Sequence, residues 1–313
     1  MELYEYARPD IMAGKTILYL HGFASSGQNG TVRAMTTLLP ETRIVAPDIP
    51  VEPEEALTFL KDLCAKENPD LIIGASMGGM YAELLRGFDR ILFNPAFFLA
   101  DTLQKNNGLG RQEFHNPRRD GQTSFLVTKG LLESFREVSS HCFENMPDNA
   151  SDPSSFGEMT DERDHVYGMF GTHDNFVTGT FDVFRKYYAN AIHFEGEHYM
   201  DDSVLLHSVL PVIERIDDKQ EKRSKPVMFI ALTDVLLDLR NGISRGKSIE
   251  EMEPYGSAVN AFAALTRNYS PNVLITNDFN EPEHIPALTR WVEKRIGVPA
   301  WNRVVICNRK DML

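Results

Sequence analysis

The chain predicts an α/β fold: a mainly parallel sheet with helices on both faces, followed by a second, smaller α/β unit. Three observations predict it. Short apolar runs alternate with segments of helical periodicity, the rhythm of strand–helix–strand units. A glycine-flanked serine, Gly74-Ala75-Ser76-Met77-Gly78, falls between a predicted strand and a predicted helix. A charged stretch, residues 217–225, precedes a fresh start of the same alternation. It marks the expected boundary between domains 1–222 and 223–313.

The elements follow in order. Residues 16–20 (TILYL) are short, apolar and closed by His21-Gly22, a buried strand. Residues 43–47 form a second strand ended by Pro47, which has no N–H for a ladder. Over 54–66, Ala56, Leu57, Leu60 and Leu63 share one helical face. Residues 71–75 are a third strand, 78–85 a helix and 90–93 a fourth strand. The rhythm then breaks. Residues 97–164 hold amphipathic pieces, such as 125–135, and a stretch at 145–155 poor in core residues. They read as an inserted cap, part helix and part loop. The pattern resumes with strands at 165–170 and 191–194 and a helix over 203–216. Beyond the charged stretch, 226–237 is mostly strand, 258–269 helix, 272–276 strand, 285–296 helix and 303–307 strand.

Composition narrows the function classes. Of 313 residues, 42% are hydrophobic and 25% charged, an ordinary globular balance. The formal charge of −13 repels phosphate backbones, so no nucleic-acid partner is expected. No apolar run approaches a membrane span, and the acidic, aromatic start lacks a secretory pattern, so no membrane partner and a cytoplasmic location are expected. Cys64, Cys142 and Cys307 fit neither a disulfide framework nor a zinc knuckle. No metal and no cofactor are expected.

The chemistry centres on Ser76. A strand-to-helix turn exposes a nucleophile, and the flanking glycines leave room where a side chain would clash. A serine hydroxyl needs a base to take its proton, and the base needs an orienting acid. In this architecture the acid precedes the histidine in the chain. Gly171-Thr172-His173-Asp174 and Gly196-Glu197-His198 both follow predicted strands, where an open α/β sheet places its chemistry. Asp174 is therefore the expected acid and His198 the expected base. Asp48 comes before Ser76 and breaks that order; Asp201 and Asp202 sit at a helix start, as caps do. His173 reads as a loop residue, His193 as structural and His21 as a loop brace. The oxyanion of acyl transfer needs two aimed N–H donors; Met77 N–H and Phe23 N–H are the candidates.

Residues 18–26 (LYLHGFASS), 74–82 (GASMGGMYA) and Asn94-Pro95-Ala96 resemble the small bacterial α/β-hydrolase esterases of the YqiA type, over roughly residues 15–216. The resemblance implies an α/β-hydrolase fold and hydrolysis of a small carboxylic ester or thioester by Ser76, His198 and Asp174. The segment 97–164 is longer than that compact family needs. Phe97 and Phe98, just after the Asn94-Pro95 turn, are candidates for lining the acyl pocket.

Residues 229–238 (FIALTDVLLD) resemble the first motif of haloacid-dehalogenase-type (HAD-like) phosphatases, in their 5′-nucleotidase branch. Residues 273–276, 288–292 and 309–313 add to that resemblance. It implies a Rossmann-like domain, but Ala231 and Thr233 stand where the family has its two catalytic aspartates, Asp234 where it has glycine, and Thr276 and Lys310 at phosphate-binding positions. A catalytically inactive module, used for docking or as a homodimer contact, is the expectation for residues 223–313. Two rival functions stand beside the hydrolase: a non-catalytic binding protein built on two degenerate folds, and a HAD-type phosphatase.

Overall fold

The computed structural model of the chain describes residues 2–106, 108–146, 162–276 and 284–307. The chain forms two units, one of residues 1–192 and 196–217, the other of 193–195 and 218–313.

The strands of the first unit are β1 (Thr16–Leu20), β2 (Arg43–Val45), β3 (Leu71–Ala75), β4 (Arg90–Phe93), β5 (Gly110–Glu113), β6 (Ser124–Val127), β7 (Val166–Gly171) and β8 (Asn190–Phe194). Six of them make one sheet in the order β2-β1-β3-β4-β7-β8, while β5 and β6 pair as a separate antiparallel hairpin. The pairings β1–β2, β1–β3, β3–β4 and β4–β7 are all parallel. Such strands are covered on both faces, which is why β3 and residues 91–93 of β4 read as apolar runs and both strands are buried almost throughout. From β1 the chain goes first to β2 on one side and then crosses to β3 on the other. The order therefore reverses between β1 and β3, and their C-terminal ends frame the crevice where an open α/β sheet binds its ligand.

Among the described residues, the helices of this unit include α1 (Gly30–Leu38), α2 (Pro53–Glu67), α3 (Met77–Leu84), α4 (Leu99–Lys105), α5 (Lys129–Ser140), α6 (Thr180–Tyr187) and α7, which runs Asp202–Val204, Leu205–Val209 and Leu210–Gln220. The middle stretch of α7 is a π turn. It ends two residues before Pro211, whose ring and missing N–H cannot continue regular α bonding to the preceding turn. The periodicity of 54–66 matches α2, which starts with Pro53 at its first turn and stops at Asn68 in the left-handed region, φ 41°. The far end of α3 is held by wholly buried Arg90, whose Nη1 donates to the carbonyls of Ala82 and Glu83.

Helices α1 and α6 were not expected from the sequence. Local chemistry sets α1: Asn29 caps it, Oδ1 accepting from Val32 N at 3.0 Å. The amphipathic piece 125–135 is divided between β6 and α5, because Thr128 caps α5 by accepting from Leu131 N at 3.0 Å. Within the expected cap, α4, the hairpin and α5 are described; residues 147–161 lie outside the described residues. Among the described residues no helix is long and apolar enough to cross a membrane.

The second unit contains β9 (Val227–Ala231), β10 (Ser270–Thr276) and β11 (Val304–Cys307), paired in parallel in the order β11-β10-β9. Helices α8 (Leu239–Ser244), α9 (Ala258–Leu265) and α10 (His284–Arg295) accompany them. Its core gathers Leu232, Phe262, Val273, Ile275 and the wholly buried Trp291, whose Nε1 donates to Met252 O at 2.9 Å. The strand expected over 226–237 stops at Ala231. There the chain turns, with Asp234 at φ 68° and the Leu236 and Leu237 N–H groups both returning to Leu232 O.

Candidate functional site

Ser76 stands between the last residue of β3 and the first of α3, at φ 54° and ψ −114°. That backbone conformation is costly for any residue with a Cβ and persists only where its surroundings impose it. The surroundings here are three close backbone approaches. A Cβ on Gly74 would lie 2.2 Å from Gly78 O, one on Gly78 2.1 Å from Leu20 O, and one on Gly79 2.9 Å from Pro95. Glycine lets the start of α3 tuck against the ends of β1 and β3, and the tight turn lifts Ser76 Oγ into the crevice.

The acid and the histidine arrive from the next two loops. Asp174 follows β7 and His198 follows β8. The loops pass so closely that a Cβ on Gly171 would sit 2.6 Å from Gly196 O. His198 Nε2 lies 3.1 Å from Ser76 Oγ, and His198 Nδ1 lies 2.8 Å from Asp174 Oδ2. The second oxygen of Asp174 accepts from the N–H groups of Phe176 (2.8 Å) and Val177 (3.0 Å). Burial pushes the Asp174 carboxyl upward, but the His198 hydrogen bond and these two N–H groups outweigh it, and the group titrates below the usual carboxylate range. It is ionised at neutral pH and holds a proton on Nδ1, leaving Nε2 with its lone pair toward the serine.

The other candidates are occupied elsewhere. His21 is buried, its Nδ1 2.8 Å from Gly22 O and its Nε2 accepting from Ile49 N at 3.0 Å. Burial lowers it to about 4, so it is neutral at pH 7 and its lone pair is already used. Asp48 braces the loop after β1, accepting from Gly27 N and Arg119 N. Asp201 caps α7 by accepting from Val204 N. His173 and His193 are exposed on the acid loop and on β8.

The two expected oxyanion donors, Met77 N–H and Phe23 N–H, lie next to Ser76 in the chain and across from it on the loop after β1. Met77 opens α3, so its N–H belongs to the unsatisfied first turn. Phe23 follows Gly22, whose added Cβ would lie 3.4 Å from Ser76 Cβ. Among the described residues no hydrogen bond takes either N–H.

Ser76 opens into a cleft of about 1150 Å³. Phe97 and Phe98 do not line it. Phe97 turns into the core against Phe143, ring centroids 4.8 Å apart, and Phe98 points to solvent. The reason is that the two residues lead into α4, so Leu99, Thr102 and Leu103, on the helix itself, form the cleft wall. Tyr19, Phe23, Phe176 and Tyr199 contribute aromatic rings to it. The glycine-flanked serine gave no signal for these residues, which reach the cleft from separate loops.

Asn94 was visible only as part of a short Asn-Pro-Ala motif. It is buried at the end of β4 in the left-handed region, φ 41°, which asparagine tolerates better than most side chains. Its Nδ2 donates to Glu197 O (3.0 Å) and His198 O (3.1 Å), and its Oδ1 accepts from Gly171 N (2.8 Å). One side chain thus ties the loop of the acid to the loop of the histidine.

A parallel sheet reversing between β1 and β3, with a serine on a strained turn at that point, is the α/β-hydrolase arrangement. A family model described as an uncharacterised protein family, UPF0227, matches residues 16–198, and the chain belongs to that family. Solved structures similar to it include a putative hydrolase from Agrobacterium vitis S4, 13% identical over 64% of this chain and 87% of that one, with a TM-score of 0.40. A metagenome-derived lipolytic enzyme is 12% identical over 67% of this chain and 95% of its own, with a TM-score of 0.43. A curated protein, the putative 5′(3′)-deoxyribonucleotidase of Vibrio phage KVP40, is 24% identical over 123 residues, covering 34% of this chain and 72% of its own.

Proposed function

We propose that the protein is a serine hydrolase that cleaves a small carboxylic ester or thioester through an acyl-enzyme. The observation that carries this reading is the placement of His198 between Ser76 Oγ and Asp174 Oδ2, at 3.1 and 2.8 Å. In the mechanism, Nε2 takes the Ser76 proton as Oγ attacks the carbonyl carbon. The Met77 and Phe23 N–H groups receive the oxyanion. His198 then returns the proton to the departing alcohol or thiol, and water repeats the sequence to release the acid. Wild-type protein should react with a fluorophosphonate probe, and the label should map to the peptide containing Ser76. Labelling elsewhere, or none while a control serine hydrolase is fully labelled, would refute the proposal.

Asn94 belongs to this reading as a positioning residue, because it fixes both loops that must meet at Ser76. Asn94→Ala leaves Gly171 N and the carbonyls of Glu197 and His198 to find water. A loosened histidine loop should lower kcat on a short aryl ester roughly ten- to a hundredfold. KM should change little, since Asn94 does not line the cleft. Unchanged kcat would show that the loops hold their places without it.

For residues 223–313 the reading is a retained fold without phosphatase chemistry. Ala231, at the end of β9, has no nucleophilic atom, and Thr233 has no carboxylate. Lys310, the expected phosphate-binding residue, lies outside the described residues.

A further inference from the structure

The wall of the cleft nearest His198 carries a chemistry that the hydrolytic steps do not require. Phe176 and Tyr199 are 52% and 68% exposed, so both rings present open aromatic faces beside the cleft. They flank the imidazole, with ring centroids 5.3 and 5.4 Å from that of His198, and their own rings lie 6.0 Å apart. Immediately after Tyr199 come Met200, Asp201 and Asp202, all facing the same cleft. Asp201 uses one oxygen to cap α7, while the Asp202 side chain stands exposed at the cleft wall. Among the described residues that line the cleft there is no lysine and no arginine; apart from His115 and His198, its ionisable side chains are Tyr19, Tyr199 and these two carboxylates.

The position of this wall fixes what it would touch. His198 Nε2 must protonate the departing oxygen, so the leaving group has to pass the residues that surround His198. The apolar lining that remains, Ala96 with Leu99 and Leu103 of α4, is left for the acyl part. An aromatic face attracts a cation through its quadrupole, and carboxylates beside it add direct attraction. The same surroundings repel phosphate and carboxylate groups, which the net charge of −13 disfavours at longer range as well.

We propose, on the basis of the serine-hydrolase reading, that the leaving-group side of this cleft selects an alcohol bearing an ammonium group, held by Phe176, Tyr199 and Asp202. A phosphorylated carrier thiol is a poor fit for the same wall.

The test uses three esters of one short acid with the full-length protein: 2-(trimethylammonio)ethyl, its uncharged isostere 3,3-dimethylbutyl, and 3-sulfopropyl. The cationic ester should exceed the neutral one about tenfold in kcat/KM, and the anionic ester should rank last. In Tyr199→Leu and Asp202→Asn the cationic-to-neutral ratio should fall toward one. A ratio cancels any general effect of the substitution on folding or on Ser76. Added salt should shrink the wild-type ratio. In parallel, ligand-observed NMR on Ser76→Ala compares binding of choline and 3,3-dimethylbutanol without any turnover. If none of the esters is hydrolysed and Ser76 takes no fluorophosphonate label, the hydrolase reading fails while binding still reports on the wall. If the neutral compounds match the cationic ones in turnover or in binding, or the sulfonate ester is preferred, the cation site is refuted.

Discussion

Ser76→Ala is expected to lose on the order of a million-fold in turnover of a short aryl ester, falling to the rate supported by binding and the oxyanion donors alone. The removed oxygen is the atom that forms the acyl bond, and nothing else at the end of β3 can replace it. The change should leave the fold intact. Alanine keeps the Cβ, and the lost hydroxyl has His198 Nε2 as its partner in an open cleft, not a buried acceptor that would be left unpaired. Ser76→Gly should be equally inactive and somewhat more stable, by up to about 1 kcal/mol, because glycine adopts φ 54° without the steric cost. Denaturant unfolding and ester turnover measured on the same samples check both statements. A variant that keeps a tenth of wild-type turnover would remove Ser76 from the nucleophile's role.

The parts of this molecule that could be read from sequence are those fixed by local chemistry. Buried parallel strands are apolar on both faces, so β1, β3, β4 and β7 stood out as short uninterrupted runs. The glycines around Ser76 were legible because a Cβ on Gly74 or Gly78 would come within 2.1–2.2 Å of a backbone oxygen. The order of the loops carrying Asp174 and His198 could also be read, since each follows a strand. Other features depend on long-range packing. The start of helix α6 has no capping side chain to mark it, because it opens after Gly179 at φ 78°. Phe97 and Phe98 have the same composition but opposite environments, and only the direction in which the chain enters α4 decides between them. The cleft wall of Phe176 and Tyr199 joins residues from two loops that no sequence spacing relates. The links from Asn94 to Gly171, Glu197 and His198 span 77 to 104 residues, beyond any local pattern. In the second unit, the apolar run after Pro226 resembled one long strand because Leu232, Leu236 and Leu237 are all core residues. They are buried from a turn, with Asp234 at its positive-φ position.

Asp174→Asn tests the proton arrangement with the smallest change of shape. The native carboxylate accepts from Phe176 N and Val177 N on one oxygen and from His198 Nδ1 on the other. Those two backbone donors can be met only by the amide oxygen of asparagine, so its NH₂ must face His198. The imidazole then has to accept at Nδ1, which moves its proton to Nε2. An Nε2–H cannot take the Ser76 proton, although every heavy atom stays in place. Turnover of a short aryl ester should fall on the order of 10⁴-fold, less than for Ser76→Ala because the nucleophile and the oxyanion donors survive. Fluorophosphonate labelling of Ser76 should slow by a comparable factor without being abolished. Loss of the ionised partner also removes the favourable interaction that lowers the Asp174 titration. Wild-type stability should accordingly decline as pH drops through the acid range in which that carboxylate takes up its proton, and the variant should lack this component. Asp174→Ala should lose activity to a similar degree but free the Phe176 and Val177 N–H groups, and it should be less stable than Asp174→Asn. If Asp174→Asn keeps more than a tenth of wild-type turnover, the orientation of His198 is set by something other than Asp174.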